Sequence, residues 1–159
     1  ETAEFLKEAE WMDMEGNIHN SPRESLEFSY RYSELMGNYG RIITRAVFQL
    51  RESDPETVEK NLLECQQFRM EKQPYNQPSC GSVFKNPANT SAGALIERAG
   101  LKGYKVGKAE ISKKHANFII NIGKANAADI ESLILHIQST VEKKFGIKLE
   151  TEVKFIGAS

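Results

Sequence analysis

The chain has 159 residues, of which 40% are apolar and 27% are charged, and its formal net charge at pH 7 is −1. This length and apolar content allow one domain or two small ones with a buried core. A nearly neutral charge balance argues against a nucleic-acid partner. No apolar run approaches the roughly 20 residues that a membrane-spanning helix needs, so we expect no membrane partner and a cytoplasmic location.

The histidines and cysteines are not arranged in a pattern typical of a metal site or of a disulfide framework. His19, His115 and His136 lack the spacing of metal ligands, and no metal site is predicted. Cys65 and Cys80 are predicted to be thiols, because a chain of this size with its own core does not need a disulfide. The sequence does not begin with Met, which suggests a piece of a longer protein.

The first 70 residues predict strands followed by a helix. Residues 8–14 are typical of a strand, and a tight turn at Gly16 leads into a returning strand at Ile18. Alternating apolar residues predict a half-buried strand at 41–50. An Asp-Pro pair then supplies an N-cap and a first helical residue, so a helix is predicted from about 55 to 70.

The remaining residues predict a linker and a second α+β part. Two prolines and few apolar residues at 72–78 exclude a helix or a central strand, so the linker is placed there. A long helix is predicted, with Asn126 as its N-cap and Gly146 at its end. The residues between them include apolar side chains at helical spacing. The other predicted elements are a short helix at 91–99 closed by Gly100, strands at 104–112 and 117–122, and a last strand at 149–156.

Five sequence segments, taken in order and spacing, resemble a known family. They are YRYS at 30–33, PSCGSVFKNP at 78–87, SAGALIERAG at 91–100, KKHANFIINIG at 113–123 and LETEVKFIG at 149–157. From near residue 8 to its end, the chain resembles UDP-N-acetylenolpyruvoylglucosamine reductase, the flavoenzyme that completes UDP-N-acetylmuramic acid for peptidoglycan.

The resemblance implies a domain organisation and two cofactors. Residues 1–72 would be the C-terminal part of the second flavin-binding region, and residues 73–159 the substrate-binding C-terminal domain with its final strand. In the family, FAD gives the hydride, NADPH recharges it, and most flavin contacts come from an N-terminal region that this chain lacks. We therefore expect the chain alone to be colourless and inactive. Short connections after Pro87 and after the 41–50 strand resemble the shorter subtype, which lacks a tyrosine-bearing substrate loop.

Three residues are candidates for the chemistry. From the residues alone, Ser82 is most simply a turn serine, Glu152 shares a charged, solvated strand face with Glu150, and Arg31 is a surface arginine. The resemblance implies instead that Ser82 is the general acid and that Glu152, rather than Glu150, is the catalytic glutamate. It also implies that Arg31 holds the enolpyruvyl carboxylate, for which its planar fork is suited.

Four further residues match positions that line the UDP-sugar site of the family: Lys72, Gly81, Asn86 and His115. At the last of these positions some relatives have an amide side chain. Residues 101–115 contain five lysines and one acid. Such a run of lysines is usually a solvated face of the protein. The more specific alternative is a site that binds a diphosphate.

The function implied is reduction of the enolpyruvyl group of UDP-N-acetylglucosamine enolpyruvate, which serves cell-wall synthesis, cell shape and division. Two other classes stay open from the residues. One is a non-catalytic module that binds a UDP-sugar or a protein. The other is a hydrolase that uses Cys80 with His115, a pairing that two residue types alone support only weakly.

Overall fold

The structure is a computed structural model in which residues 2–36 and 40–157 are described. Contacts within the chain divide it into two compact units, one up to Thr57 and one from Val58. Both units contain helix and antiparallel sheet, so the predicted α+β class is confirmed. None of the helices in the described ranges is long and apolar enough to cross a bilayer.

The first unit is built on an antiparallel sheet with the strand order β2-β1-β5 and a separate small hairpin, β3-β4. The predicted strand, tight turn and returning strand near its start are confirmed, because Asp13 closes the turn by accepting the backbone N–H of Asn17 at 2.8 Å. The elements are α1 (Thr2–Phe5), β1 (Leu6–Asp13), β2 (Ile18–Pro22), β3 (Phe28–Ser29), β4 (Tyr32–Ser33) and β5 (Arg41–Phe48).

Strand β5 differs from the half-buried strand that the alternation predicts. It lies at the edge of its sheet, and Ile42 and Ile43 are 52% and 54% exposed. The buried apolar side chains among the described residues of this unit are Ala9, Leu26 and Leu35. A pattern of β-forming residues therefore identified the strand correctly, but it did not indicate which side chains are covered.

The second unit contains a four-stranded antiparallel sheet with the order β6-β9-β8-β7. Helix α2 begins where Asp54 accepts the N–H of Thr57 at 2.8 Å, so the predicted N-cap is confirmed. The elements from this helix onward are α2 (Pro55–Lys72), β6 (Ser79–Ser82), α3 (Ala92–Arg98), β7 (Lys105–Val106), β8 (Ala109–Ile111), β9 (Phe118–Asn121) and α4 (Ala127–Phe145).

Helix α4 supplies the apolar face on which this sheet packs. Asn126 and Asp129 form a reciprocal capping box at its start, and Gly146 ends it in the left-handed conformation, as predicted. Ile137 and Val141 are fully buried and contribute about 1.5–3 kcal/mol each through burial. The buried side chains of this helix therefore share one core with those of the sheet.

The strand predicted at 104–112 is wrong, because the chain reverses within it. Strands β7 and β8 form a hairpin in which Val106 pairs with Ala109. Gly107 lies in the turn with a φ of 54°, and any side chain there would collide with the Asp129 carboxylate. A glycine in such a conformation costs little, whereas other residues would be strained.

The last strand predicted at 149–156 is also absent as a regular strand within the described residues. Only Thr151 forms a bridge, with Phe84. The N–H groups of Glu152 and Val153 both point to the carbonyl of Val83, at 2.8 and 3.4 Å. Because two successive donors share one acceptor, the chain bends there and the ladder does not continue.

The domain boundary at 72/73 stays a prediction. The contacts divide the chain at Thr57 and Val58 instead. In the stretch predicted as a linker, Pro74 is buried and the carbonyl of Pro78 accepts the N–H of Asn121 at 2.9 Å. The stretch is therefore anchored to strand β9 at its end.

Candidate functional site

Ser82 is the last residue of β6, where it pairs with Phe118 of β9. The prediction placed it at a loop-to-strand junction, whereas the strand ends at this serine. The pairing register shifts between Ser79 and Ser82, and such an irregularity turns a side chain away from the regular alternation. Gly81 has a φ of 83° and open space where a Cβ would stand, so its backbone is approachable from outside.

Glu152 is held beside the same strand end by its main chain. Its N–H donates to the carbonyl of Val83 at 2.8 Å, and Val83 directly follows Ser82. The bridge between Phe84 and Thr151 extends this link by one residue on each side. The structure therefore brings the backbones of Ser82 and Glu152 together, although 70 residues of sequence separate them.

The two neighbouring glutamates, Glu150 and Glu152, have different surroundings. The side chain of Glu150 is 72% exposed and forms an ion pair with Lys85. Glu152 is half-buried. The expectation of one solvated face carrying both carboxylates is therefore wrong, because the bend after Thr151 breaks the alternation on which it depended.

Asn86 fastens the loop after β6 to the start of helix α3. Its side-chain oxygen accepts the N–H of Ala92, the first residue of α3, at 3.0 Å. Ser91 caps the same helix by accepting the N–H of Ala94 at 3.1 Å. The loop that carries Asn86 is thus fixed between the Ser82 strand and this helix.

His115 lies half-buried against the other side of α3. Its Nδ1 accepts the backbone N–H of Asn117 at 3.2 Å, and its ring meets Phe118 edge-on with 4.9 Å between centroids. A Cβ added at Gly93 would lie 3.2 Å from His115 Cε1, so the helix approaches the ring as closely as a glycine permits. Accepting at Nδ1 leaves Nε2 as the N–H donor of a neutral ring.

The electrostatics agree with a neutral imidazole. Burial lowers the pKa of His115 below its usual 6.5, and the Lys102 ammonium lowers this pKa further, while the His115 backbone hydrogen bond and the Glu97 carboxylate act in the opposite direction. A neutral ring with one N–H resembles an amide N–H in what it offers a ligand.

The lysines around this site are less free than their number suggests. Lys102 pairs with Glu97 at 2.7 Å and Lys105 with Glu110 at 3.1 Å. Lys114 donates to the carbonyl of Met70 near the end of α2. The excess of lysines at 101–115 is therefore partly neutralised, and the diphosphate interpretation stays a prediction.

Lys72, another predicted substrate contact, is the last residue of α2 and is exposed. The Lys114 contact with Met70 joins the end of this helix to the segment that precedes His115. Lys72 therefore belongs to the same unit as the other three predicted substrate contacts.

Arg31 belongs to the first unit, whereas Ser82 and Glu152 belong to the second. It is in the two-residue turn between β3 and β4, and its φ of 56° is uncommon for a residue other than glycine. The guanidinium lies 5.2 Å from the centre of the Tyr30 ring. A residue held in such a conformation on an exposed turn is a reasonable candidate for a ligand contact.

Asn117 is a residue that the sequence reasoning did not single out. It is only 3% exposed, and its side chain bonds both polar groups of Phe84: it accepts from the N–H at 3.0 Å and donates to the carbonyl at 2.8 Å. The signal in the sequence is a lone amide at the start of an apolar strand. A buried polar side chain needs partners, and such a residue often specifies local geometry.

Glycine-rich turns and clusters of ligating side chains are the local features with which proteins hold diphosphate-containing cofactors and metals. In the first unit, Gly16 is the one described glycine with a positive φ, so the glycine-rich turns that cradle a diphosphate are not found among these residues. Across the described ranges, no group of three or more His, Cys, Asp or Glu residues is placed to hold a metal. The exposed thiols Cys65 and Cys80 are free.

The fold of the second unit is that of the C-terminal domain of a reductase family. Residues 73–156 match the model of the family described as "UDP-N-acetylenolpyruvoylglucosamine reductase, C-terminal domain", and the chain belongs to this family. The predicted resemblance is thereby confirmed.

The relatives carry the same name. The chain is 44% identical over 155 residues to UDP-N-acetylenolpyruvoylglucosamine reductase of Halalkalibacterium halodurans, with 98% of this chain and 51% of the relative covered. It is 47% identical over 156 residues to that of Trichormus variabilis, with 98% and 47% covered. The crystal structure of the Thermus caldophilus reductase superposes with a TM-score of 0.81 at 37% identity, covering 96% of this chain and 53% of that one. The chain spans about half the length of these relatives.

Proposed function

We propose that this chain is the C-terminal half of a flavoprotein reductase that converts UDP-N-acetylglucosamine enolpyruvate to UDP-N-acetylmuramate in peptidoglycan synthesis. The observation that carries the proposal is the main-chain link from Glu152 to Val83, beside Ser82, within the family-matched residues 73–156. It supports a site in which a hydroxyl and a carboxylate act on one substrate.

The reaction adds a hydride and a proton across the enolpyruvyl double bond. FAD, when bound in the complete reductase, supplies the hydride, and NADPH then reduces the oxidised FAD again. As the far carbon gains the hydride, negative charge spreads from the near carbon into the carboxylate, and the near carbon then takes a proton. The protein must therefore supply a cation at the carboxylate and an acid at the near carbon.

Ser82 is the proposed acid and Arg31 the proposed cation. A serine hydroxyl is a weak acid in water, but the carbanion-like near carbon is basic enough to take its proton. Arg31 offers two parallel N–H donors and stays charged in any surroundings, so it can hold the carboxylate as charge accumulates there. Glu152, half-buried beside the Ser82 strand end, shapes the charge of the enolic intermediate.

The UDP-sugar is the proposed ligand of the loop after β6 and of the α3 surface. Gly81 presents open backbone, Asn86 borders the start of α3, and His115 offers an Nε2 donor. Lys72 at the end of α2 supplies a positive charge to the diphosphate. FAD, NADPH, a cytoplasmic location and roles in cell shape and division belong to this proposal as implications of the family.

The proposal can be tested on a complete reductase that contains these residues. We expect its purified form to show a flavin band and to oxidise NADPH in multiple turnovers only when the enolpyruvyl substrate is added. We expect the chain alone to be colourless, because the family resemblance implies that most flavin contacts come from a region N-terminal to these residues. A complete protein without flavin that still binds the UDP-sugar would favour a non-catalytic binding module. Loss of activity on alkylation of Cys80 alone would favour thiol chemistry.

A further inference from the structure

Asn117 connects the segments that carry the proposed chemistry. Its side chain bonds the N–H and the carbonyl of Phe84, its backbone carbonyl accepts the N–H of Val83 at 2.9 Å, and its own N–H donates to His115 Nδ1. Four hydrogen bonds from one buried residue thus reach the strand end of Ser82 and the ring of His115.

The position of Glu152 depends on the same segment. Its N–H is bonded to the carbonyl of Val83, which lies between Ser82 and the Phe84 that the Asn117 side chain holds. The bridge between Phe84 and Thr151 is a single pair, and a regular ladder does not follow it. The N–H of Lys85 donates to the carbonyl of Glu150 at 2.9 Å on the other side of this pair, and the Asn117 side chain holds Phe84 between these two main-chain hydrogen bonds. The orientation of the Val83 carbonyl therefore depends in part on what holds Phe84.

Loss of the Asn117 side-chain amide would affect mainly the main chain of Phe84. With the side-chain amide removed, the N–H and carbonyl of Phe84 would be left without these partners while Phe84 is 1% exposed. The segment would have to move to find other partners. Since Val83 and Phe84 are adjacent, such a movement shifts both the end of β6 and the acceptor of Glu152.

We propose that Asn117 is a positioning residue, whose side-chain amide holds the Val83–Phe84 main chain so that Ser82 and Glu152 keep a common geometry for proton delivery. The catalytic part of this inference rests on the proposed reductase function. The structural part concerns only the second unit of this chain. Asn117 does not touch the substrate in this role, and it acts through Phe84 and Val83.

Amide hydrogen exchange of this chain tests the structural part. In Asn117→Ala, the N–H of Phe84 loses its acceptor directly, but the N–H of Glu152 keeps its own acceptor, so its exchange reports positioning at a distance. We expect Glu152 exchange to accelerate about tenfold or more relative to the N–H of Ile111, which bonds to Tyr104 on the other side of the sheet.

Ile137→Val is the matched control, because it weakens the core of α4 and leaves the hydrogen bonds between Asn117 and Phe84 unchanged. It should accelerate Glu152 and Ile111 exchange by similar factors. Asn117→Asp keeps an acceptor for Phe84 N–H but no donor for its carbonyl, and it serves if the alanine variant fails to fold. If the exchange rate of the Glu152 N–H rises only by the same factor as that of the Ile111 N–H in both Asn117 variants, the proposal is refuted.

Kinetics of the complete reductase test the catalytic part. At a temperature where the variant is fully folded, we expect kcat for substrate reduction to fall about 10²-fold with little change in KM, and flavin reduction by NADPH to be unchanged. A wild-type kcat would show that Asn117 is a scaffold residue only. A wild-type protein without reductase activity would instead refute the proposed function, and the exchange result would still decide whether Asn117 positions Glu152.

Discussion

The backbone N–H of Glu152 donates to the carbonyl of Val83 at 2.8 Å, and this hydrogen bond joins the end of the chain to the strand end that carries Ser82. The contact is part of a bridge only one pair long. Ser82 belongs to the four-stranded sheet, but the position of Glu152 relative to Ser82 depends on this short main-chain link rather than on a long ladder. Substitutions at either side chain should accordingly leave the fold intact, which makes them clean tests.

Ser82→Ala in the complete reductase should slow only the half-reaction that consumes the enolpyruvyl substrate. A general acid typically contributes about 10²–10⁴ in rate, and removal of the hydroxyl deletes the proton donor without affecting flavin reduction by NADPH. Stopped-flow absorbance of the flavin measures the two half-reactions separately. Ser79→Ala, at the start of the same strand, is the control. If both half-reactions of Ser82→Ala slow equally, or neither slows, Ser82 is only a structural residue.

Glu152→Gln should lower substrate reduction by orders of magnitude, whereas Glu150→Gln should not. Both changes remove a charge and keep the size, but Glu150 is largely exposed and paired with Lys85, while Glu152 is half-buried beside the Ser82 strand end. We expect the unfolding free energy of each variant to stay within about 0.5 kcal/mol of wild type. Chemical denaturation measures the unfolding free energies, and single-turnover kinetics measures the rates of substrate reduction. Equal rates for the two variants would show that Glu152 is only a solvated carboxylate like Glu150.

The elements with strong end signals were predictable from the sequence. Helix α4 has a capping asparagine, a regular apolar period and a terminal glycine, and all three agree with one another. The predicted strand at 104–112 failed because Gly107 forms a turn with a positive φ, and the Asp129 carboxylate that lies against this turn is distant in sequence. The strand at 149–156 failed because its alternation suited a ladder, whereas Glu152 and Val153 both donate to the Val83 carbonyl and the bridge to Phe84 is one pair long.

The candidate site was predictable only in part. Short motifs indicated Ser82 and Glu152, but the surroundings that distinguish Glu152 from Glu150 depend on contacts across 70 residues. The role of Asn117 could not be predicted, because its partners at Phe84 are main-chain groups that carry no sequence signal. The residues of a site can thus be suggested by local pattern, while the residues that position them are determined by tertiary structure.

Gly93→Ala should weaken UDP-sugar binding by displacing the His115 ring. Alanine in a helix is normally more favourable than glycine by about 0.5–1 kcal/mol, but the new Cβ would lie 3.2 Å from His115 Cε1. We therefore expect little or no gain in stability and a several-fold loss of affinity in calorimetry. The control is a double-mutant cycle: in a His115→Ala background the Gly93→Ala effect on binding should vanish. An undiminished effect in that background would show that the clash is with another group.

The His115 ring should titrate with a midpoint below 6.5 in proton NMR, because burial disfavours its charged form. The pKa is lowered on folding, so the unfolded chain binds more protons between the folded pKa and 6.5. His115 therefore contributes stability that is fully present above pH 6.5 and is lost as the pH falls through the folded pKa.

His115→Gln should remove this pH-dependent contribution and keep a donor for the ligand. Lys102→Gln should raise the ring midpoint towards 6.5, since the Lys102 ammonium also disfavours the charged ring. Denaturation curves at several pH values and ring titrations measure the two effects. A midpoint above 6.5 would show that the folded chain favours the charged ring, contrary to the effect of burial on which the neutral Nε2 donor depends.

Arg31→Lys in the complete reductase tests whether the substrate carboxylate is held by a planar fork or only attracted by a charge. Lysine keeps the positive charge but loses the two parallel donors. If the fork matters more as charge moves into the carboxylate, the rate of substrate reduction should fall more than the ground-state affinity. Single-turnover rates at saturating substrate and equilibrium binding measure the two quantities.

The control for this substitution is Arg45→Lys, which changes an arginine of β5 that pairs with Glu8 at 3.1 Å and should alter neither quantity. Arg31 also occupies a turn position with a φ of 56°, and lysine tolerates that conformation no better or worse than arginine. The backbone strain is therefore equal in the wild type and the variant, so a difference in rate reports the guanidinium itself. Weaker binding with a normal saturated rate would make Arg31 a simple anchor, and wild-type values for both would remove it from the site.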